Sequence, residues 1–106
     1  MKLNKGQIKS LRAEGHRLNL KPVIIIGQKG LGENLTKEID NALTHHELLK
    51  IRIPGLEKAE KKALAEQICN QHRAELIELI GNVIVIFRHN KESERFAAFR
   101  SEQATN

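Results

Sequence analysis

Apolar positions change their period along this chain, and each change marks an element. Ile8 and Leu11 lie one helical turn apart behind Asn4, a side chain suited to capping a helix. Gln7, three residues after Asn4, completes the capping pattern, and Gly15 reads as the stop, with Leu18 packing just beyond. Pro22 opens a short strand, Val23 to Ile26, which is continuously apolar and β-branched, as in a strand covered on both faces. A second helix begins at Glu33, with Leu35, Ile39, Ala42 and Leu43 on its inner face. From Leu48 to Ile53 the period falls to two: Leu49, Ile51 and Ile53 point one way, Lys50 and Arg52 the other. Pro54-Gly55 makes a turn. A third helix runs from about Glu57 to His72 and buries Ala63, Leu64 and Ile68, with Cys69 beside them. Two last strands, Ala74 to Ile80 and Val83 to Arg88, flank Gly81-Asn82, a two-residue hairpin turn.

The order α-β-α-β-α-β-β predicts an α/β domain with a four-stranded mixed sheet. Its two βαβ passages should be right-handed crossovers that lay helices on the sheet, and the final hairpin should supply an antiparallel pair. At 106 residues there is room for one core and none for a cleft between two lobes. Residues 1–100 are expected to form that single domain, and Ser101 to Asn106 a polar tail.

Composition narrows the chemistry. One cysteine, Cys69, makes no internal disulfide and suits a reducing compartment. The apolar runs, Val23 to Ile26 and Val83 to Phe87, are far short of a membrane span, and the basic N-terminus has no apolar stretch behind it. The expectation is a cytoplasmic protein with no membrane partner. Three Phe with no Tyr or Trp exclude a platform of several stacked aromatic rings. The net charge is +5 and unevenly placed: Met1 to Ile53 holds ten Lys/Arg against five Asp/Glu, while the remainder is balanced at eight each. A concentrated basic surface is the electrostatic footprint of a polyanion partner.

Two features give that charge a location. At 100° per residue Lys5, Lys9, Arg12 and His16 fall within about 60° of one another, beside the buried stripe of the first helix. The second is Gly27-Gln28-Lys29-Gly30-Leu31-Gly32, a glycine loop at a strand-to-helix junction. Glycines there let backbone N–H groups approach an anion, and the helix beyond contributes a partial positive charge. The spacing is not that of a P-loop, which needs four residues between its glycines and then Lys-Ser/Thr. It also inverts the dinucleotide fingerprint, and Glu47 is the only acid near the ribose position. A G-x-x-G clamp on a nucleic-acid backbone and a glycine turn required only by chain geometry both remain open.

The segments Leu20 to Leu31, His45 to Ile53 and Ile80 to Arg88, in unbroken order, resemble the CRM domain (chloroplast RNA splicing and ribosome maturation), most closely its stand-alone bacterial YhbY form. The resemblance covers about residues 3 to 90. It implies an RNA-binding domain whose sheet is similar to that of the C-terminal domain of translation initiation factor 3. It also implies a role in assembly of the large ribosomal subunit, with precursor rRNA and pre-ribosomal particles as partners. The G-x-x-G loop, implicated in RNA contact, carries over to Gly27, Gln28, Lys29 and Gly30. The family often has Tyr in the last strand and Pro after the following Arg; here Phe87 and His89 stand at those positions, and Phe87 is expected to pack in the core.

Other reactive side chains have plainer readings. His45-His46-Glu47 lacks further ligands at metal spacing, and histidines at a helix C-terminus are favoured by its dipole. Glu75 and Glu78, three apart in a strand, should point to opposite faces. Cys69 reads as core filler, and Phe96 and Phe99 as pins for a terminal helix. No catalytic constellation, metal site or cofactor is expected, nor a small-molecule substrate. The sequence thus predicts a non-enzymatic protein that binds structured RNA. Lys5, Lys9, Arg12, Lys29, Lys50 and Arg52 would meet phosphates, and the Gly27–Gly30 backbone would approach them closely. A protein-binding adaptor using the same basic face is the alternative.

Overall fold

The computed structural model describes residues 3–20, 22, 24–27 and 30–90. Its elements are α1 (Lys5–Arg17), β1 (Ile24–Ile25), α2 (Glu33–His46), β2 (Leu48–Arg52), α3 (Lys58–His72), β3 (Glu75–Ile80) and β4 (Val83–Phe87). The predicted order holds throughout. The strands form one sheet in the order β1-β2-β4-β3, with β1 parallel to β2 and both other pairings antiparallel. The Gly81-Asn82 turn joins Ile80 to its partner Val83, with Gly81 in the left-handed region at φ 56°.

The sheet is covered on both sides. On one face α2 and α3 bring Ile39, Leu43, Ala65, Ile68 and Cys69 against Ile24, Leu49, Ile51, Ile84 and Ile86. On the other, Leu3 and Leu11 pack with Leu48, Ile77, Val85 and Phe87, flanked by Ile8 and Leu20. Phe87 is therefore core, as expected. Cys69 is also interior, and its burial pushes the thiol pKa up to about 11, far from a reactive thiolate.

Several local expectations need correction. The first helix does not stop at Gly15 but runs to Arg17, and the left-handed position after it falls to Asn19, at φ 51°. Gly15 instead sits in the helix where an added Cβ would make ordinary contacts, 3.7 Å from both Leu20 and Leu48, so the packing of α1 on the sheet does not require glycine there. Leu18 does not pack inward; it is exposed, and Leu20 takes the inner position. The capping box is present: Asn4 Oδ1 accepts from Gln7 N at 2.8 Å and Gln7 Oε1 from Asn4 N at 2.9 Å.

Ala63 is exposed and Ala65 buried, because the inner face of α3 runs through Ala65, Ile68, Cys69 and His72. The first strand is not covered on both faces. Ile24 and Ile26 are buried, but Ile25 between them is 67% exposed on an edge strand that pairs only with β2. Finally, β3 carries an irregularity at Ile77: Glu75 registers with Phe87 and Glu78 with Val85. Both partners lie on the α1 face, so the two glutamates register with the same face instead of opposite ones.

Candidate functional site

The glycine loop leaves the sheet beside Arg52. Ile26 N donates to Arg52 O at 2.8 Å, and the chain then turns, with Gly30 N donating to Gly27 O at 3.1 Å. Gly30 has φ 79°, which only glycine adopts without strain. Gly27 differs. It is exposed, outside the left-handed region, and an added Cβ would meet nothing within 4 Å. The fold therefore requires glycine at position 30 but not at 27. Gln28 and Lys29 lie outside the described residues, as do Phe96 and Phe99. Downstream, Gly32 is the N-cap of α2 without a side-chain cap, so that helix begins with its first N–H groups uncovered by a side chain.

The basic side chains sort into three settings. Lys5 and Lys9 are exposed on the first two turns of α1. Arg12, on the same stripe, is committed within the protein: its Nη2 donates to Ile77 O at 3.2 Å, and its Nε lies 3.6 Å from Glu78 Oε2. His16 contacts the same carboxylate oxygen at 3.1 Å. Glu78 thus neutralises part of the stripe, a pairing made possible by the Ile77 irregularity. Lys50 and Arg52 share one face of β2, as expected, and that face is the α1 side, since Lys50 registers with Val85. Lys50 Nζ donates to Leu20 O at 3.0 Å, which fixes the ammonium at the rim of a groove lined by Arg12, Gly15, His16, Leu20 and Ile80. The Arg52 side chain is exposed and makes no hydrogen bond or ion pair among the described residues. The structure therefore brings Arg12, Lys50 and Arg52 to the α1 side of the sheet, whereas Gly30 borders a groove with Glu60, Ala63, Leu64 and Gln67 on the α3 side.

The remaining polar clusters are structural ties. Arg88 Nη1 donates to Asp40 Oδ1 at 2.6 Å and to His72 O at 3.2 Å, and Nη2 to Asp40 O and Thr44 Oγ1, both at 2.9 Å. The Arg88 hydrogen bond holds the Asp40 carboxyl below its ordinary range, against a smaller opposing push from burial. Burial pushes the His72 imidazole below its ordinary pKa, and its Nε2 is enclosed without a hydrogen-bond partner, so it offers no base to a substrate. Glu47, fully buried with φ 61°, accepts from Asn90 N at 2.8 Å through its side chain and from Arg88 N at 2.9 Å through its carbonyl. These residues fasten the end of β4 to α2 and α3. Sequence reading missed them because their partners are 16 to 48 positions away.

His45 Nδ1 lies 2.7 Å from Asn41 O within its own helix. Among the described residues no group of three or more His, Cys, Asp or Glu is placed to hold a metal ion. No described helix is long and apolar enough to cross a membrane.

With this geometry in view, the comparisons with known proteins converge. The chain belongs to the CRS1 / YhbY (CRM) domain family, whose model matches residues 3–88. It is 34% identical over 95 residues to a protein of Pseudomonas aeruginosa named a probable RNA-binding protein, covering 90% of this chain and 89% of that one. An RNA-binding protein of Haemophilus influenzae is 34% identical over 92 residues, covering 87% of this chain and 91% of that one. The solution structure of a hypothetical protein from Staphylococcus aureus, a candidate RNA-binding protein, superposes with a TM-score of 0.77 at 38% identity. That match covers 88% of this chain and 95% of the other.

Proposed function

We propose that this chain is a non-enzymatic RNA-binding protein of the cytoplasm that assists assembly of the large ribosomal subunit. In this reading it holds structured precursor rRNA by its phosphates. The observation that carries the reading is the loop: Gly27 has open space where a side chain would be, and the preceding Ile26 donates its N–H to the carbonyl of Arg52, an exposed arginine whose side chain has no partner among the described residues. A backbone stripped of side chains beside an uncommitted guanidinium suits close approach of a phosphodiester. The family and the names of the relatives support RNA as the polyanion, and the basic surface suits the dense phosphates of a ribosomal precursor.

Arg12 shares its charge with Glu78, so the cations left for phosphates are Lys5, Lys9, Lys29, Lys50 and Arg52. Five neutralised phosphates give a slope of log K against log salt of about −3.5 to −4.5. The test is a salt titration of binding to a large-subunit precursor fragment, beside co-sedimentation with precursor particles. A slope near zero overturns the electrostatic mechanism. Co-sedimentation that survives both nuclease treatment and charge reversal at Lys9 and Arg52 overturns RNA as the partner, in favour of an acidic protein.

A further inference from the structure

Three large apolar side chains stand exposed among the described residues: Leu18 at 44%, Ile25 at 67% and Ile80 at 62%. Two of them fall in one line. Ile25 registers with Arg52, Arg52 with Val83, and Val83 with Ile80, so one transverse row crosses all four strands. Directly opposed residues share a face, and the neighbouring row, Ile24-Ile51-Ile84-Leu79, packs under α2 and α3. The row Ile25-Arg52-Val83-Ile80 therefore faces the α1 side, at the end of the sheet where the glycine loop departs. Three inter-strand gaps make it about 14 Å long.

We infer that this row is a platform for a short single-stranded RNA segment, with Arg52 stacking on a base between the aliphatic flanks of Ile25 and Val83–Ile80. The inference rests on the RNA-binding reading and deepens it: phosphates position the RNA, and the row takes unpaired nucleotides next to the clamp. The arrangement favours RNA over a protein. Arg52 is at the centre of the row and has no carboxylate partner among the described residues. Glu78, on this face two rows away, is engaged by Arg12 and His16. An apolar protein surface laid over the row would bury an unpaired guanidinium, which is strongly unfavourable. A nucleotide brings both a π-face for the guanidinium plane and a phosphate for its charge. A sheet without surface aromatics can still hold bases in this way, because arginine planes and aliphatic side chains both pack against them.

The experiment compares two RNAs, a blunt hairpin and the same hairpin with a four-nucleotide unpaired extension. It uses the wild type, Arg52→Lys, and the double variant Ile25→Ser/Ile80→Ser. All three keep the net charge, and the substituted side chains are exposed, so fold and salt slope should be retained, as urea unfolding and the titration will verify. The wild type should prefer the extended RNA about tenfold, and both variants should lose most of that preference, while the serine variant, which leaves every phosphate-binding cation in place, should bind the blunt hairpin as before. Equal binding of both RNAs by the wild type overturns the platform and leaves the RNA-binding reading intact. So does a preference that survives in the variants. Binding of neither RNA by a folded wild type defeats the RNA-binding reading itself. Concentration-dependent dimerisation that the serine variant abolishes would reassign the row to self-association.

Discussion

Replacing Gly27 with Ala separates the two meanings of the glycine loop. If the glycine serves only chain geometry, alanine costs little, because position 27 has neither a positive φ nor a neighbour within 4 Å of the new Cβ. Restricting the unfolded chain would even stabilise the fold by about 0.4–1 kcal/mol. If a phosphate approaches that backbone, the methyl group holds it off and weakens a charge-assisted hydrogen bond worth about 1.5–3 kcal/mol. That corresponds to a loss of roughly 10- to 100-fold in affinity. The charge count is unchanged, so the salt slope should stay where it was while the whole binding curve shifts. Gly30→Ala provides the contrast: at φ 79° it should cost about 1–2 kcal/mol of stability. Urea unfolding and fluorescence anisotropy with labelled RNA measure the two quantities on the same samples. A Gly27→Ala protein that is as stable as the wild type and binds RNA equally well would refute close backbone approach and leave the loop as a turn.

Three further outcomes follow from named contacts. Asn4→Ala removes the acceptor for Gln7 N and should cost about 0.5–2 kcal/mol by urea unfolding, with little effect on RNA affinity at temperatures where the protein stays folded. Glu78→Gln releases Arg12 from its carboxylate partner, so the salt slope should steepen by about 0.7–0.9 as a sixth cation becomes available; an unchanged slope would show that Arg12 stays on Ile77 O. Stability should fall on acidification in two stages. His72 is buried as the neutral imidazole, its folded pKa below the ordinary 6.5, so protons favour the unfolded chain and stability present above pH 6.5 is lost as the pH falls below it. Asp40, held below its ordinary 3.8 by Arg88, contributes stability that is lost as the pH falls through its lowered pKa. Unfolding measured from pH 7.5 to 3 checks both, and His72→Phe should abolish the upper stage while leaving the lower one the larger share that comes from Arg88.

What sequence could show here depended on the range of the signal. The capping pair Asn4 and Gln7 is local, and so is the alternation of Leu49, Lys50, Ile51 and Arg52; both appear in the structure as read. Ile25 misled because β-branched runs look alike in central and edge strands, and only the sheet order shows that β1 has one neighbour. Ala63 and Ala65 carry no side-chain signal to choose between them; the placement of α3 on the sheet decides. The spacing of Glu75 and Glu78 gave a firm expectation of opposite faces, which one irregular residue reversed. That reversal also altered the site, since it put Glu78 beside Arg12 and removed one cation from the stripe. The row through Ile25, Arg52, Val83 and Ile80 depends on three registers at once, and no single segment of sequence contains it.

The aromatic shortage and the two-sided sheet bear on each other. Were β1 covered on both faces, Ile25 would be core and the end of the sheet nearest the loop would be closed. Instead α1, 13 residues and so about 20 Å long, contacts mainly β3, and its side of the sheet beyond Leu20 is left to Arg52 and two exposed isoleucines. Apolar side chains that mostly face water contribute little folding energy there, whereas inward-facing Ile24 and Ile26 contribute nearly in full. A polar residue at position 25 or 80 would serve the fold equally well. Exposed isoleucines on either side of an uncommitted arginine are therefore better explained by what they meet than by what they hold together, and the neutral serine substitutions test that without disturbing the charge that draws RNA in.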